Sequence, residues 1–106
     1  MSCVDAILQG RRERLFELCR RFNVVRLSIF GSVTNGYFEP GVSDLDFLVE
    51  FGPPPNGVTL ARQFFGLQEE LGALFERPVD LLEETAITNS RLRRTALSSA
   101  VNLYAA

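Results

Sequence analysis

From Asp5 to Phe22 the apolar residues Leu8, Leu15, Leu18, Cys19 and Phe22 recur at helical spacing, with arginines and Glu13 between them, so one helix is expected there, weakened early by Gly10. "VVRLSIF" (Val24 to Phe30) is β-branched and alternating and is broken by Gly31-Ser32, which predicts a first strand. "SVTNGYFEPGV" has room for a short helix at its start, but Asn35-Gly36 and Pro40-Gly41 make the rest a turn. "DLDFLVEF" (Asp44 to Phe51) predicts a second strand, with Leu45, Phe47, Val49 and Phe51 on one face and Asp44, Asp46, Leu48 and Glu50 on the other.

"GPPPNG" (Gly52 to Gly57) stops that strand in a stiff loop, and Thr59 or its neighbourhood opens the next helix. Along that helix Leu60, Phe64, Leu67, Leu71, Leu74 and Phe75 form one stripe, widened by Phe65. After Arg77-Pro78, "VDLLE" (Val79 to Glu83) predicts a short buried third strand. Asn89 or Ser90 then caps a last helix in which Leu92, Ala96, Ala100 and Leu103 recur. The alternation of helices and strands predicts an α/β domain with a small mixed sheet of about three main strands packed against helices.

Composition narrows this picture. At 106 residues and 46% hydrophobic content the chain suits one domain, residues 1–106, with one modest core. The sequence holds no long apolar span and no signal-like N-terminal segment, so a cytoplasmic protein without a membrane association is expected. Cys3 and Cys19 lack metal-ligand spacing and are expected to be reduced and structural.

A net charge of −2 argues against electrostatic capture of nucleic acid, and no direct nucleic-acid binding is expected. The chain has no histidine, which removes the commonest general base and the Ser-His type of triad. Carboxylates must carry any acid–base chemistry. All eleven basic residues are arginines, clustered in "RRER" (Arg11 to Arg14) and "RLRR" (Arg91 to Arg94), where they read as solvated helix faces.

The chemistry-bearing feature is the acidic start of the second strand. Side chains two apart in a strand point the same way about 6.5 to 7 Å apart, so Asp44 and Asp46 address one spot. Their repulsion is roughly 2 to 3 kcal/mol at an effective dielectric near 20, and below about 1 kcal/mol in water. The pair is therefore either solvated or neutralised by a cation. An arbitrary D-x-D is an ordinary polar face, but three features set this one apart. Both acids stand at a strand entrance beside a turn; a third acid, Asp80, interrupts the apolar run "VDLL" of the next strand; and Gly31-Ser32 combines close backbone approach with free N–H groups and a hydroxyl suited to phosphate oxygens. Carboxylate oxygens suit Mg²⁺, and a pair of such ions can stabilise both the attacking and the leaving oxygen in displacement at phosphorus.

Taken together, "FGSVTNGYFEPGVSDLDFLVEF" followed by "VDLL" resembles the minimal nucleotidyltransferase (MNT) domains of the DNA polymerase β superfamily, and the likeness extends over most of the chain. The resemblance implies that Gly31 and Ser32 contact a nucleoside triphosphate, that Asp44 and Asp46 bind two Mg²⁺ ions, and that Asp80 binds one of them and helps activate an acceptor hydroxyl. It further implies ATP as substrate and a HEPN-domain toxin as partner, with AMP transferred to a tyrosine of that toxin so that the chain acts as its antitoxin.

One departure stands out: where members often carry an arginine before the second glycine of the first motif, this chain has Asn35 before Gly36. That supplies the alternative, a weakly active or inactive MNT-like binding module that neutralises its partner by covering it. Phosphatases of the haloacid dehalogenase type place the apolar strand before their acids, whereas "FLVEF" here follows them, and D-x-D glycosyltransferases need a much longer chain. The sequence leaves the oligomeric state open.

Overall fold

The single helix expected from Asp5 to Phe22 is divided at Gly10. In the computed structural model, which describes residues 3–31, 44–87 and 89–106, the N-terminal segment forms two helices, α1 (Cys3–Leu8) and α2 (Arg12–Arg21), rather than one. Gly10 adopts φ +75°, a left-handed conformation that ends a helix and that a glycine accepts without strain. Arg11 bridges the interruption. Its guanidinium donates to the carbonyls of Ile7 (3.0 Å) and Leu74 (3.1 Å), and it lies 5.9 Å from the centre of the Phe75 ring. An arginine that reads as solvated is thus half-buried and satisfies an orphan carbonyl at the end of another helix.

The remaining elements are β1 (Val24–Phe30), β2 (Leu45–Phe51), α3 (Leu60–Phe75), β3 (Val79–Glu83), a 3₁₀ turn (Glu84–Ala86), α4 (Ser90–Ser99) and β4 (Val101–Ala105). The strands form one mixed sheet in the order β3-β2-β1-β4, with β1 antiparallel to both β2 and β4, and β2 parallel to β3. Helix α3 makes the crossover that a parallel pair requires. Thr59 caps it by accepting a hydrogen bond from the Arg62 N–H at 3.0 Å. Glu76 ends it in the left-handed region, just before Arg77-Pro78.

One strand departs from expectation. The last helix stops at Ser99, and Val101–Ala105 pairs with β1 instead of continuing the helix to Leu103. The helical spacing of Ala96, Ala100 and Leu103 outweighs the alternation of "VNLY" when the sequence is read alone. In the fold, β4 gives β1 a second partner and still delivers Leu103 to the core. A bulge at Val25 likewise lets Val24 and Leu27 both face inward although they are three residues apart.

The main core lies on one face of the sheet. Leu27, Leu45, Phe47 and Val49 from the strands are fully buried against Leu15, Cys19, Leu67 and Leu71 from the helices, and Phe47 meets Phe75 with ring centres 5.7 Å apart. Burial of each large side chain contributes about 1.5 to 3 kcal/mol. Leu60 and Phe65, expected in the α3 stripe, are instead 73% and 63% exposed. Gln63 takes the place near the end of the core, because the carbonyls of Phe22 and Gly52 need a donor there and its amide serves both, at 2.9 and 3.1 Å. None of the described helices is long and apolar enough to cross a membrane.

Cys19 sits in this core, and burial pushes its thiol up to about 12 despite the opposing charge of Arg20. Between the ordinary thiol value of 9.0 and about 12 the unfolded chain releases a proton that the folded chain keeps, so this group lowers stability as pH rises through that window. In a Cys3→Ser variant, iodoacetamide at pH 8 is expected to alkylate Cys19 only at the rate of unfolding; alkylation as fast as in denaturant would contradict the packing.

Candidate functional site

The opposite face of the sheet carries the acids. Alternation along β2 turns Asp46, Leu48 and Glu50 away from the main core, and α4 lies against β1 with Ala96 buried. In the parallel pairing of β2 with β3, Asp46 stands directly opposite Asp80 and Leu48 opposite Leu82. Asp44 immediately precedes β2, two residues from Asp46, and the Leu45 N–H donates to the Pro78 carbonyl at 3.1 Å, which pins the two strand entrances together. All three acids thus stand at one corner of the sheet.

The electrostatics of that corner are unbalanced. At the other end of the same strands Glu50 and Glu84 converge on Arg26, at 3.3 and 2.7 Å. Among the described residues no arginine pairs with Asp44, Asp46 or Asp80. Residues 32–43 contain no basic residue that would supply the missing charge. Asp46, half-buried, has its carboxyl pushed above the usual carboxylate range, first by burial, then by the charges of Asp80 and Asp44, and finally by hydrogen bonding to Asp80.

Gly31 completes the corner. It follows β1 with φ +84°, and a Cβ placed on it would stand 2.6 Å from the Asp46 Oδ2. The antiparallel register explains the contact, since Phe30 pairs with Asp46. The sequence pattern assigns the close approach of this glycine to a ligand; in the fold the neighbour it accommodates is the Asp46 carboxylate. The antiparallel pairing of β1 with β2 is what places them together. Ser32, Asn35 and Gly36 lie outside the described residues.

The donor set suits a hard divalent cation: three carboxylates, one half-buried and two exposed, in a chain without histidine. Among the described residues no three acidic or thiol side chains are already gathered around one point as ligands. Asp44 and Asp80 are exposed, and exposed side chains change rotamer readily.

A family model described as a nucleotidyltransferase domain matches residues 12–103. None of the curated proteins matches the chain. Among solved structures, a protein described as a minimal nucleotidyltransferase is 36% identical, with a TM-score of 0.69 and 95% of each chain covered. A toxin–antitoxin complex with AMP-PNP contains a chain of 17% identity and TM-score 0.68, covering 91% of this chain and 74% of that one. A complex of a tri-AMPylated HEPN toxin with an MNT antitoxin, from Shewanella oneidensis, gives 16% identity and TM-score 0.61, covering 92% and 72%. These last two likenesses are of fold.

Proposed function

The chain belongs to the nucleotidyltransferase domain family, and from that premise we propose that it transfers AMP from ATP to a hydroxyl, most simply a tyrosine, of a HEPN-type partner protein whose antitoxin it is. The observation that carries this reading is the uncompensated corner where Asp46 faces Asp80 across parallel strands, with Asp44 at the strand entrance. Asp44 and Asp46 would hold two Mg²⁺ ions, with Asp80 ligating one of them. Bound there, the ions would stabilise charge on the α-phosphate and on the departing pyrophosphate.

The chain's own residues then have distinct tasks. Asp46, on a central strand, would hold its ion at a fixed place relative to the sheet. Asp80, exposed at the edge strand, accepts the proton of the acceptor hydroxyl. The acceptor oxygen forms a bond to the α-phosphorus, the bond from that phosphorus to the bridging oxygen breaks, and pyrophosphate leaves. Gly31 and Ser32 would lie along the triphosphate. The likeness in fold to chains of toxin–antitoxin complexes supports a partner that presents the acceptor.

The test mixes the chain with its HEPN-type partner, Mg²⁺ and ATP labelled at either the α- or the γ-phosphate. Label from the α position is expected on a partner tyrosine, none from the γ position, and none in EDTA. Transfer of γ-label, or none of either, would overturn the assignment.

A further inference from the structure

Helix α3 presents an outward, largely exposed stripe. Residues 62, 65, 66, 69 and 73 fall on one side of a helix, and here Arg62, Phe65, Glu69 and Ala73 are exposed while Gly66 is half-buried. The Phe65 ring is 63% exposed yet held in place, meeting Phe64 edge-on at 5.1 Å, which in turn meets Phe51 at 6.5 Å. Among the described residues neither Arg62 nor Glu69 has an ion-pair partner, although the adjacent Glu70 is bound to Arg21 at 3.1 Å.

We propose that this stripe packs antiparallel against the same stripe of a second copy, forming a two-fold homodimer through α3. The pair Arg62 and Glu69 shares its midpoint with the pair Phe65 and Gly66. Laying α3 antiparallel on itself about that midpoint therefore sets each Arg62 opposite the other copy's Glu69 and each Phe65 opposite the other copy's Gly66. Positions 62, 65, 66 and 69 are also the i, i+3, i+4, i+7 set that forms a hole for an incoming knob. No side chain projects at Gly66, since a Cβ there would stand 2.8 Å from the Phe22 ring, so the surface that meets the incoming Phe65 is shallow.

The charges decide the occupant. A stripe that is positive at one end and negative at the other complements itself when antiparallel, whereas a parallel arrangement sets arginine on arginine and glutamate on glutamate. The dimer leaves the acid corner open, since α3 packs on the sheet face of Phe47 and the acids occupy the opposite face. In that register residues 60–71 of the two helices overlap and give a contact about 18 Å long, smaller than a standard interface, so the dissociation constant is on the order of 10 to 100 µM.

Sedimentation velocity of the full chain, with concentrations spanning that range, tests the proposal. The natural chain is expected to shift from monomer toward dimer. Arg62→Glu and Glu69→Arg are each expected to weaken dimerisation about 10-fold or more, because each sets like charges together. An equimolar mixture of the two variants restores opposite charges at both contacts and is expected to dimerise as the natural chain does. Both positions are exposed, and thermal melting confirms that the variants fold. A chain that is monomeric throughout, a dimer indifferent to both substitutions, or a mixture that stays monomeric would each overturn the proposal. The first outcome would leave the stripe to a different protein's surface.

Discussion

Asp46→Asn is expected to reduce nucleotidyl transfer by roughly 10³-fold, the upper end of what loss of one preorganised electrostatic group costs, while raising the melting temperature. Both effects have one cause. The Asp46 carboxyl is held above its usual range by burial and by two neighbouring carboxylates, so at neutral pH the ionised form strains the folded state. An asparagine amide is neutral and still has an N–H with which to meet Asp80, so it relieves that strain. The same change removes the charge on which a divalent ion would depend. Melting curves with and without Mg²⁺, measured beside label transfer, separate the two effects: Mg²⁺ is expected to stabilise the natural chain and to do little for the variant. A variant that melts lower than the natural chain would show that Asp46 supports the fold. A variant that has lost transfer yet still neutralises its partner would mean that the chain acts by complex formation.

The contrast between the two ends of β2 and β3 gives that expectation its weight. Glu50, Glu84 and Arg26 form an ordinary surface ion cluster, worth little to stability and sufficient to cancel much of its own charge. Asp44, Asp46 and Asp80 stand at the entrances of β2 and β3 with, among the described residues, no such arginine. A domain selected for stability alone has no reason to leave one end compensated and the other not, and uncompensated charge concentrated at a strand entrance is what a cationic ligand answers.

Much of this is legible in the residues. The alternation of "DLDFLVEF" puts Asp46 on the face away from Phe47, and the lone acid in "VDLL" supplies a matching position on the next strand. A strand-helix-strand order implies that those two strands run parallel, which makes equivalent positions neighbours. What the sequence hides are features that depend on several elements at once. Arg11 looks solvated because its partners, Ile7 and Leu74, are backbone carbonyls that carry no sequence signal. Gln63 displaces Leu60 from the core because two other segments leave carbonyls without donors. The strand at Val101–Ala105 depends on an edge offered by β1, and short edge strands have no strong pattern of their own.

Gly31→Ala is expected to cost both stability and activity, and a second glycine separates the two contributions. At φ +84° an alanine is strained by about 1 to 2 kcal/mol whatever surrounds it. Its methyl would in addition stand 2.6 Å from the Asp46 Oδ2, closer than a carbon and an oxygen can approach, so the carboxylate must rotate away. Misplacing a reacting-site group by about 1 Å costs on the order of 10²-fold in rate. Gly57 has nearly the same backbone conformation, φ +80°, with no atom within 4 Å of the position a methyl would take and no part in the acid corner. Gly57→Ala should therefore lower the melting temperature by a similar amount and leave transfer unchanged. If the two variants lose stability alike and only Gly31→Ala loses transfer, the contact between Gly31 and Asp46 sets the position of the carboxylate; equal activity in both would remove Gly31 from the site.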